Sequence, residues 1–595
     1  MEYIQNGFIA YLNSLHNLNA SGANALAESQ ALSPYFGELY EPFALTETLV
    51  KSLSEGTDRV VILTGHAGDG KSTVALDVLK RLRCLPSSAP LAKPMKEREA
   101  IVEPNVNIVK DMSELSTERR QQWLREAFSG SGSWLIVSNT GPLLQSLMEY
   151  AKNEGVDNQI ESTILDRLDQ SFGDQLLERH TLNCFNKELV VINLTRLDNV
   201  IIGAKILTKL VGHSAWEKCV GCAAEPACPL MINRKALQSA GKVVEERVRY
   251  IYQRLSAYEQ RLTLRQIVAQ LALGLTGGMT CEEAQQLVAS SSAEGADRSS
   301  LGLERIIFSE GFFGYRGGTP WPEAEGLHAI ELVRRRVFGG PVGVNFERLI
   351  ACESGMGWAQ VPPSLKWLEN HWKKRSAESA GVRWRFALRR MNYIFGDLAE
   401  GKEELASVFL DGFLQSPKLR DFDGWRTSGE LTLSRTEKNA LRSSCLRVLL
   451  EVFSGFGAGQ FLSHDNLYLT LRRPDQAVVQ PTQLVIDTLK FRDFELDFNP
   501  AKCVLVLNFR PGNVELPLML PLLDYICRRD AGELGNSLSP IHQAQLDWFR
   551  AELLRVTEDS RHGDEEIELL RSGLDGEVHL HRFQLDKERG TLELI

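Results

Sequence analysis

Two rhythms of apolar and polar positions take turns over the first part of the chain. Residues 60–63, 134–137 and 189–192 are uninterrupted apolar runs that read as buried strands, and residues 106–111 read as a strand ending on a carboxylate. Between them lie stretches with helical spacing, at 41–53, at 74–82 and from about residue 117. Strands that alternate with helices predict a parallel sheet covered on both faces. Residues 1–58 read as helical with Ala/Ser-rich loops, and the helix at 41–53 leads into the first strand. A helical, charged pattern runs from 243 to 272. Within it, 261–274 has Thr263 as a candidate N-cap and is closed by Gly277-Gly278. The small, polar stretch 290–300 reads as a linker, and 310–321 as an aromatic, glycine-rich loop. From about residue 466 the period changes to two. Residues 467–471, 484–489, 494–498, 503–507 and 578–583 read as strands, with a helix at 540–556 between them, which predicts an α+β module.

Composition narrows the class without naming a function. A chain of 595 residues implies three or more domains. The formal net charge of -10 argues against a general nucleic-acid coat and leaves room for a local basic surface. The N-terminus lacks a basic, then apolar leader. The longest apolar stretch, 516–523, is too short for a membrane span and is broken by prolines. With 10 cysteines scattered along the chain, reduced thiols in a cytoplasm are expected, and no membrane partner.

Chemistry concentrates after the first strand. Gly65-His66-Ala67-Gly68-Asp69-Gly70-Lys71-Ser72-Thr73 carries the spacing Gly-x-x-x-x-Gly-Lys-Ser between a strand and a helix. Glycines there let backbone N–H groups converge on phosphate oxygens, and the helix N-terminus adds to that field. Lys71 would reach the β- and γ-phosphates of ATP, and the Ser72 hydroxyl would ligate Mg²⁺. The bland alternative is a plain glycine turn. Asp111 is the candidate for the magnesium shell, or else a capping aspartate for the next helix. Asn139, in Ser138-Asn139-Thr140-Gly141, is similar to the sensor residue of AAA+ ATPases that orients water, or else it bonds its own turn. Arg265 is the candidate arginine reaching the nucleotide from a helical lid, or else a solvated helix residue. Cys219, Cys222 and Cys228 have metal-ligand spacing, with His213 as a fourth ligand for Zn²⁺; a reduced loop or a redox pair is the alternative. In residues 366–396, Lys366, Lys373, Lys374, Arg375, Arg383, Arg385, Arg389 and Arg390 face only Glu369 and Glu378, with Trp367, Trp372, Trp384 and Phe386 interleaved. Such a stretch can neutralise phosphates and stack bases, or form solvated basic helix faces over an apolar core.

Taken together, the Gly65–Ser72 loop, the 138–141 strand end, the three cysteines and the Thr263-Leu264-Arg265 helix with Gly277-Gly278 resemble the ATPase subunit of phosphorothioation-dependent DNA restriction, the DptF family. The resemblance spans about residues 40–290. It implies an ATPase working with other restriction subunits on DNA, contacted directly or through those partners. The fold expected is α/β: a P-loop NTPase parallel sheet with a helical lid, then a helical region and a C-terminal α+β module. Its segments would be 1–58, 59–212, 213–290 with the cysteines and lid, 301–460 with the basic stretch, and 461–595. The chain departs from AAA+ ATPases in lacking a plain acidic pair after any strand. That departure keeps two rivals open: a STAND-type switch that binds ATP and forms homo-oligomers with little turnover, and, less well supported, a small-molecule kinase.

Overall fold

The uninterrupted apolar runs become the middle of one sheet. The computed structural model describes residues 3–16, 32–55, 57–91, 93–155, 160–168, 181–182, 185–196, 199–258, 260–291, 298–344, 346–347, 363–378, 381–396, 403–471, 481–500, 503–533, 537–558, 566–586 and 589–595. By contacts the chain divides into two units, Met1–Leu414 and Gln415–Ile595.

In the first unit, α1 (Gly7–Leu15) and α2 (Ala44–Ser54) precede β1 (Arg59–Thr64) and α3 (Lys71–Leu82). Then come β2 (Arg98–Ile101), β3 (Val106–Val109), α4 (Thr117–Ser129), β4 (Ser133–Val137), α5 (Thr140–Asn153), α6 (Ile160–Leu168), β5 (Thr181–Leu182) and β6 (Glu188–Asn193). The sheet order is β2-β3-β4-β1-β6-β5. β3, β4, β1 and β6 run parallel, while β2 and β5 are antiparallel edges. This is a mixed α/β fold around a mostly parallel sheet of six strands.

Alternation along each strand sends side chains to both faces. Val60, Ile62, Trp134, Ile136, Leu189 and Val191 pack with α4 and α5 on one face. Val61, Leu63, Leu135, Val137, Val190 and Ile192 pack with α2 and α3 on the other. Both faces are covered, so these strands show no polar alternation. The strand expected at 106–111 stops at Val109, because Lys110 and Asp111 leave the sheet.

Helices complete this unit. They are α7 (Asn199–Gly212), α8 (Pro229–Ala240), α9 (Lys242–Ala257), α10 (Leu264–Thr276), α11 (Cys281–Ser291), α12 (Arg298–Ile306), α13 (His328–Arg335), α14 (Pro363–Ser376), α15 (Val382–Phe395) and α16 (Glu403–Leu414). Thr263 caps α10 with Gln266 in a capping box, and Gly277 ends it at φ 57°. The helical pattern over 243–272 is two helices, α9 and α10, the second starting at the expected cap. The linker expected at 290–300 lies mostly outside the described residues, at 292–297; α11 runs through Ser291 and α12 begins at Arg298. The loop expected at 310–321 holds a small hairpin, β7 (Tyr315–Arg316) with β8 (Thr319–Pro320).

The second unit begins well before residue 461, the expected boundary. It contains α17 (Leu419–Ser428), α18 (Arg435–Ser454), β9 (Asn466–Thr470), β10 (Thr482–Lys490), β11 (Phe494–Asn499), β12 (Val504–Phe509), β13 (Val514–Leu518), α19 (Leu520–Asp530), α20 (Pro540–Val556), β14 (Glu566–Ser572), β15 (Val578–Asp586) and β16 (Thr591–Leu594). One antiparallel sheet is ordered β16-β15-β14-β10-β9 and another β11-β12-β13. The α18 helix packs on β9 and β11, which is why it belongs with these sheets and not with the helices before it.

Candidate functional site

The loop after β1 is shaped by its glycines and held from within. Gly65, Gly68 and Gly70 take φ of 144°, 92° and 92°. A side chain at Gly68 would come within 2.9 Å of the Thr263 hydroxyl, so only a hydrogen lets the start of α10 sit on the loop. Asp69 is fully buried. Its Oδ2 accepts the His66 N–H at 2.8 Å and its Oδ1 binds Arg261 Nη1 at 2.6 Å, while Arg261 Nη2 donates to the Leu194 carbonyl at 3.2 Å. The loop, the end of β6 and the residues leading into α10 are thereby joined.

Lys71 opens α3 and is almost wholly buried. Its ammonium donates to the Gly65 and His66 carbonyls at 2.9 and 2.8 Å and to Asn139 Oδ1 at 2.9 Å. Burial lowers the Lys71 pKa, Asp111 and Asp69 oppose that shift, and Arg265 adds to it. The contact with Asn139 follows from the sheet order, because β4 lies directly beside β1. The Asn139 N–H donates to Ser113 Oγ at 2.7 Å, and Ser113 Oγ lies 3.2 Å from Ser138 Oγ.

A cavity of about 370 Å³ opens beside this loop. Its polar end holds Ala67, Gly68, Gly70, Lys71, Ser72, Thr73, Asp111, Asn139 and Arg265. Its other walls are aromatic and aliphatic: Tyr11, Phe36, Tyr40, Phe43, Ile202, Ile206, Leu210, Leu264 and Val268. The helix expected at 41–53 therefore contributes through its leading residues. Arg265 Nε is buried with no hydrogen-bond partner, an unpaired donor at the polar end. A concave apolar chamber with few convergent polar groups suits a small ligand with a flat apolar part and an anionic part.

Asp111 lines the cavity, and its Oδ1 also accepts the Ser113 N–H at 2.8 Å, capping the short turn Met112–Glu114 and not the helix at 117. That turn brings in Glu114, an exposed carboxylate on the cavity wall that sequence reasoning passed over. The signal was a second acid three residues after Asp111, just beyond the strand. Arg261 was passed over as well, because nothing local marks its partner 192 residues away.

Away from the cavity, the cysteines and the expected histidine part company. His213 is buried and caps a turn: one ring nitrogen accepts the Ala215 N–H at 3.0 Å, the other lies 3.1 Å from the Tyr35 carbonyl, and the ring stacks on Phe8. Cys219, Cys222 and Cys228 instead share a small cavity with Cys281. Among the described residues, the metal-type cluster with ligand atoms inside 4.8 Å is Asp575, Glu577 and His579. There Asp575 accepts the Glu577 N–H at 3.0 Å and lies 3.0 Å from His579, so the hairpin turn satisfies these groups internally.

The basic stretch is corrected in part. Arg390 is paired with Glu310 at 2.6 Å, each about 1% exposed. Arg389 holds Glu347 through two bonds, at 2.7 and 2.5 Å, and the Gly339 carbonyl at 2.8 Å. Trp372 and Trp384 are buried, and Lys373 pairs with Glu369. Lys366, Lys374, Arg383 and Arg385 remain exposed. Arg389 and Arg390 are thus interior ties, out of reach of nucleic acid.

No protein-family model, no curated protein and no solved structure matches this chain. No helix among the described residues is long and apolar enough to cross a membrane.

Proposed function

We propose that this chain is a P-loop ATPase that binds ATP with Mg²⁺ at residues 65–73 and gates a DNA-targeting restriction complex with partner subunits in the cytoplasm. The observation that carries the nucleotide half is the buried Lys71 ammonium at the polar end of the cavity, held between loop carbonyls and Asn139. The Arg265 side chain on the cavity wall and the apolar walls fit the anionic and flat ends of a nucleotide. On this reading Lys71 and Arg265 stabilise phosphate charge, and Ser72 with Asp111 holds the magnesium shell. Asn139 orients a water that adds to the γ-phosphorus as the bond to the β–γ bridging oxygen breaks, releasing ADP and phosphate. Glu114, the exposed carboxylate on the cavity wall, is the candidate to take that water's proton. The restriction half rests on the resemblance to the DptF family, as do DNA and the partner subunits.

The test is ATP binding and turnover with and without DNA, in the wild type and in Lys71→Ala. DNA-stimulated turnover lost in the variant is the expected result. Equal ATP affinity in both proteins would refute the site.

A second reading, the STAND-type switch with homo-oligomerisation, has one observation in its favour. Asp111 is already engaged in capping its own turn. Nucleotide-driven oligomerisation indifferent to DNA would favour the switch.

A further inference from the structure

Four cysteines from three separate stretches meet at one place. Cys219 and Cys222 flank a tight turn in which the Cys222 N–H donates to the Cys219 carbonyl at 3.3 Å and Gly221 adopts φ 82°. Cys228 directly precedes α8, and Cys281 begins α11. All four line a cavity of about 20 Å³, the volume of a single water or ion, with Ile9, Leu230 and Met231 closing its walls.

Three of the sulfurs are met by N–H donors, while the Cys281 thiol donates to the Asn6 carbonyl at 3.9 Å. Asn6 Nδ2 donates to Cys219 Sγ at 3.2 Å, and the Ile4 N–H donates to Cys222 Sγ at 3.5 Å. The Leu230 and Met231 N–H groups face Cys228 from the first turn of α8. Such donors favour thiolate over thiol, and they form the outer shell that tunes a metal–sulfur site. Burial acts the other way. It pushes the Cys228 thiol up to about 11 and raises Cys219 and Cys281 as well. A bound cation reverses that balance, because a coordinating thiol is deprotonated outright.

We propose that Cys219, Cys222, Cys228 and Cys281 together bind one Zn²⁺ as a closed tetrathiolate site, with His213 outside it. Four soft ligands with no open position are the donor set of a structural zinc. Zn–S bonds of about 2.3 Å require the sulfurs to draw together, since no three of them now lie within 4.8 Å of one another. Each cysteine has one side-chain torsion, and changing its staggered well moves the sulfur by about 3 Å, which is the freedom that closing the set would use. Binding releases the thiol protons to solvent and changes no oxidation state. The ion would clamp the turn at residues 219–222 to the starts of α8 and α11. This inference is independent of the nucleotide reading.

The full chain, purified under reducing conditions from zinc-supplied cells, should carry about one equivalent of zinc by elemental analysis. Cys281→Ser should lose it, and His213→Asn, which keeps a capping side chain, should retain it. Should Cys281→Ser fail to fold, the wild type still decides the matter. Cobalt exchanged into it should give the absorption of a tetrahedral all-sulfur site, and alkylation mapping should show all four cysteines protected until a chelator is added. Zinc-free protein, zinc lost with His213→Asn, zinc kept by a folded Cys281→Ser, or alkylation of Cys281 in the metal-loaded protein would each overturn the proposal.

Discussion

Positive charge is gathered at two places in the first unit, and the two are used in opposite ways. In α15, Arg389 and Arg390 are consecutive, buried and answered by Glu347 and Glu310 from distant stretches. Beside β1, Lys71 and Arg265 are also largely withdrawn from water, yet Lys71 is held by the neutral oxygens of Gly65, His66 and Asn139, and both side chains line the cavity. The first arrangement cancels its own field inside the fold. The second leaves a field aimed into a cavity. Density of charge along a sequence therefore says little about where the field points; the partners decide it.

The sharpest way to break this contrast is at Arg390. Replacing it with Met leaves the buried Glu310 carboxylate without its counter-charge, held only by the Gly318 N–H, which should cost about 3–5 kcal/mol of stability by urea denaturation. Adding Glu310→Gln should restore much of that. A loss under about 1 kcal/mol would mean that the pair is not the interior tie described. Lys71→Ala should do the reverse: ATP affinity falls by roughly ten- to a hundredfold, the worth of a charge-assisted hydrogen bond, while the denaturation midpoint hardly moves. Calorimetric titration beside a thermal melt reads both.

The exposed cations test what remains of the basic surface. Reversing Lys366, Lys374 and Arg385 to Glu should change stability by no more than about 0.5 kcal/mol per site. If these side chains carry DNA, binding across sequences should weaken and its salt dependence flatten. Unchanged affinity and salt slope would assign them to solvation alone. The smallest effect concerns a surface pair in the second unit. Arg447 and then Ser444 hold the Asp530 carboxyl below its usual pKa. Its stabilisation is full above the ordinary aspartate range and is lost as pH falls through the lowered native value. Asp530→Asn should cost about 0.5 kcal/mol at neutral pH and nothing in strong acid. A cost that persists in acid would point to packing.

The sequence made the central sheet and its loop readable because the cues are local. β1 spans one residue more at each end than the run 60–63, Thr263 and Gly277 delimit α10, and α20 matches the helix read at 540–556. Two strands of the second unit were harder: β14, inside its sheet, and β16, at its edge, are short stretches that mix apolar residues with charged ones, and their pairing is set by the strands beside them. The cavity was legible at its polar end only, since its apolar walls come from α1, residues 36–43, α7 and α10 together. Arg389 and Arg390 read as surface cations because their carboxylates lie 42 and 80 residues away. Cys281 was missed for the same reason: no spacing rule links it to Cys228, and only the placement of α11 does.

The buried Asp69 has a consequence beyond holding a turn. It grips the loop through His66 and the approach to α10 through Arg261. Two binding events that each depend on this carboxylate's geometry share one free energy, and such sharing is reciprocal. A ligand that sharpens the loop must also sharpen the attitude of α10. A protein that grasps α10 must alter the affinity at the loop by the same factor. The carboxylate therefore works as a transmission, and its ratio can be measured from either end.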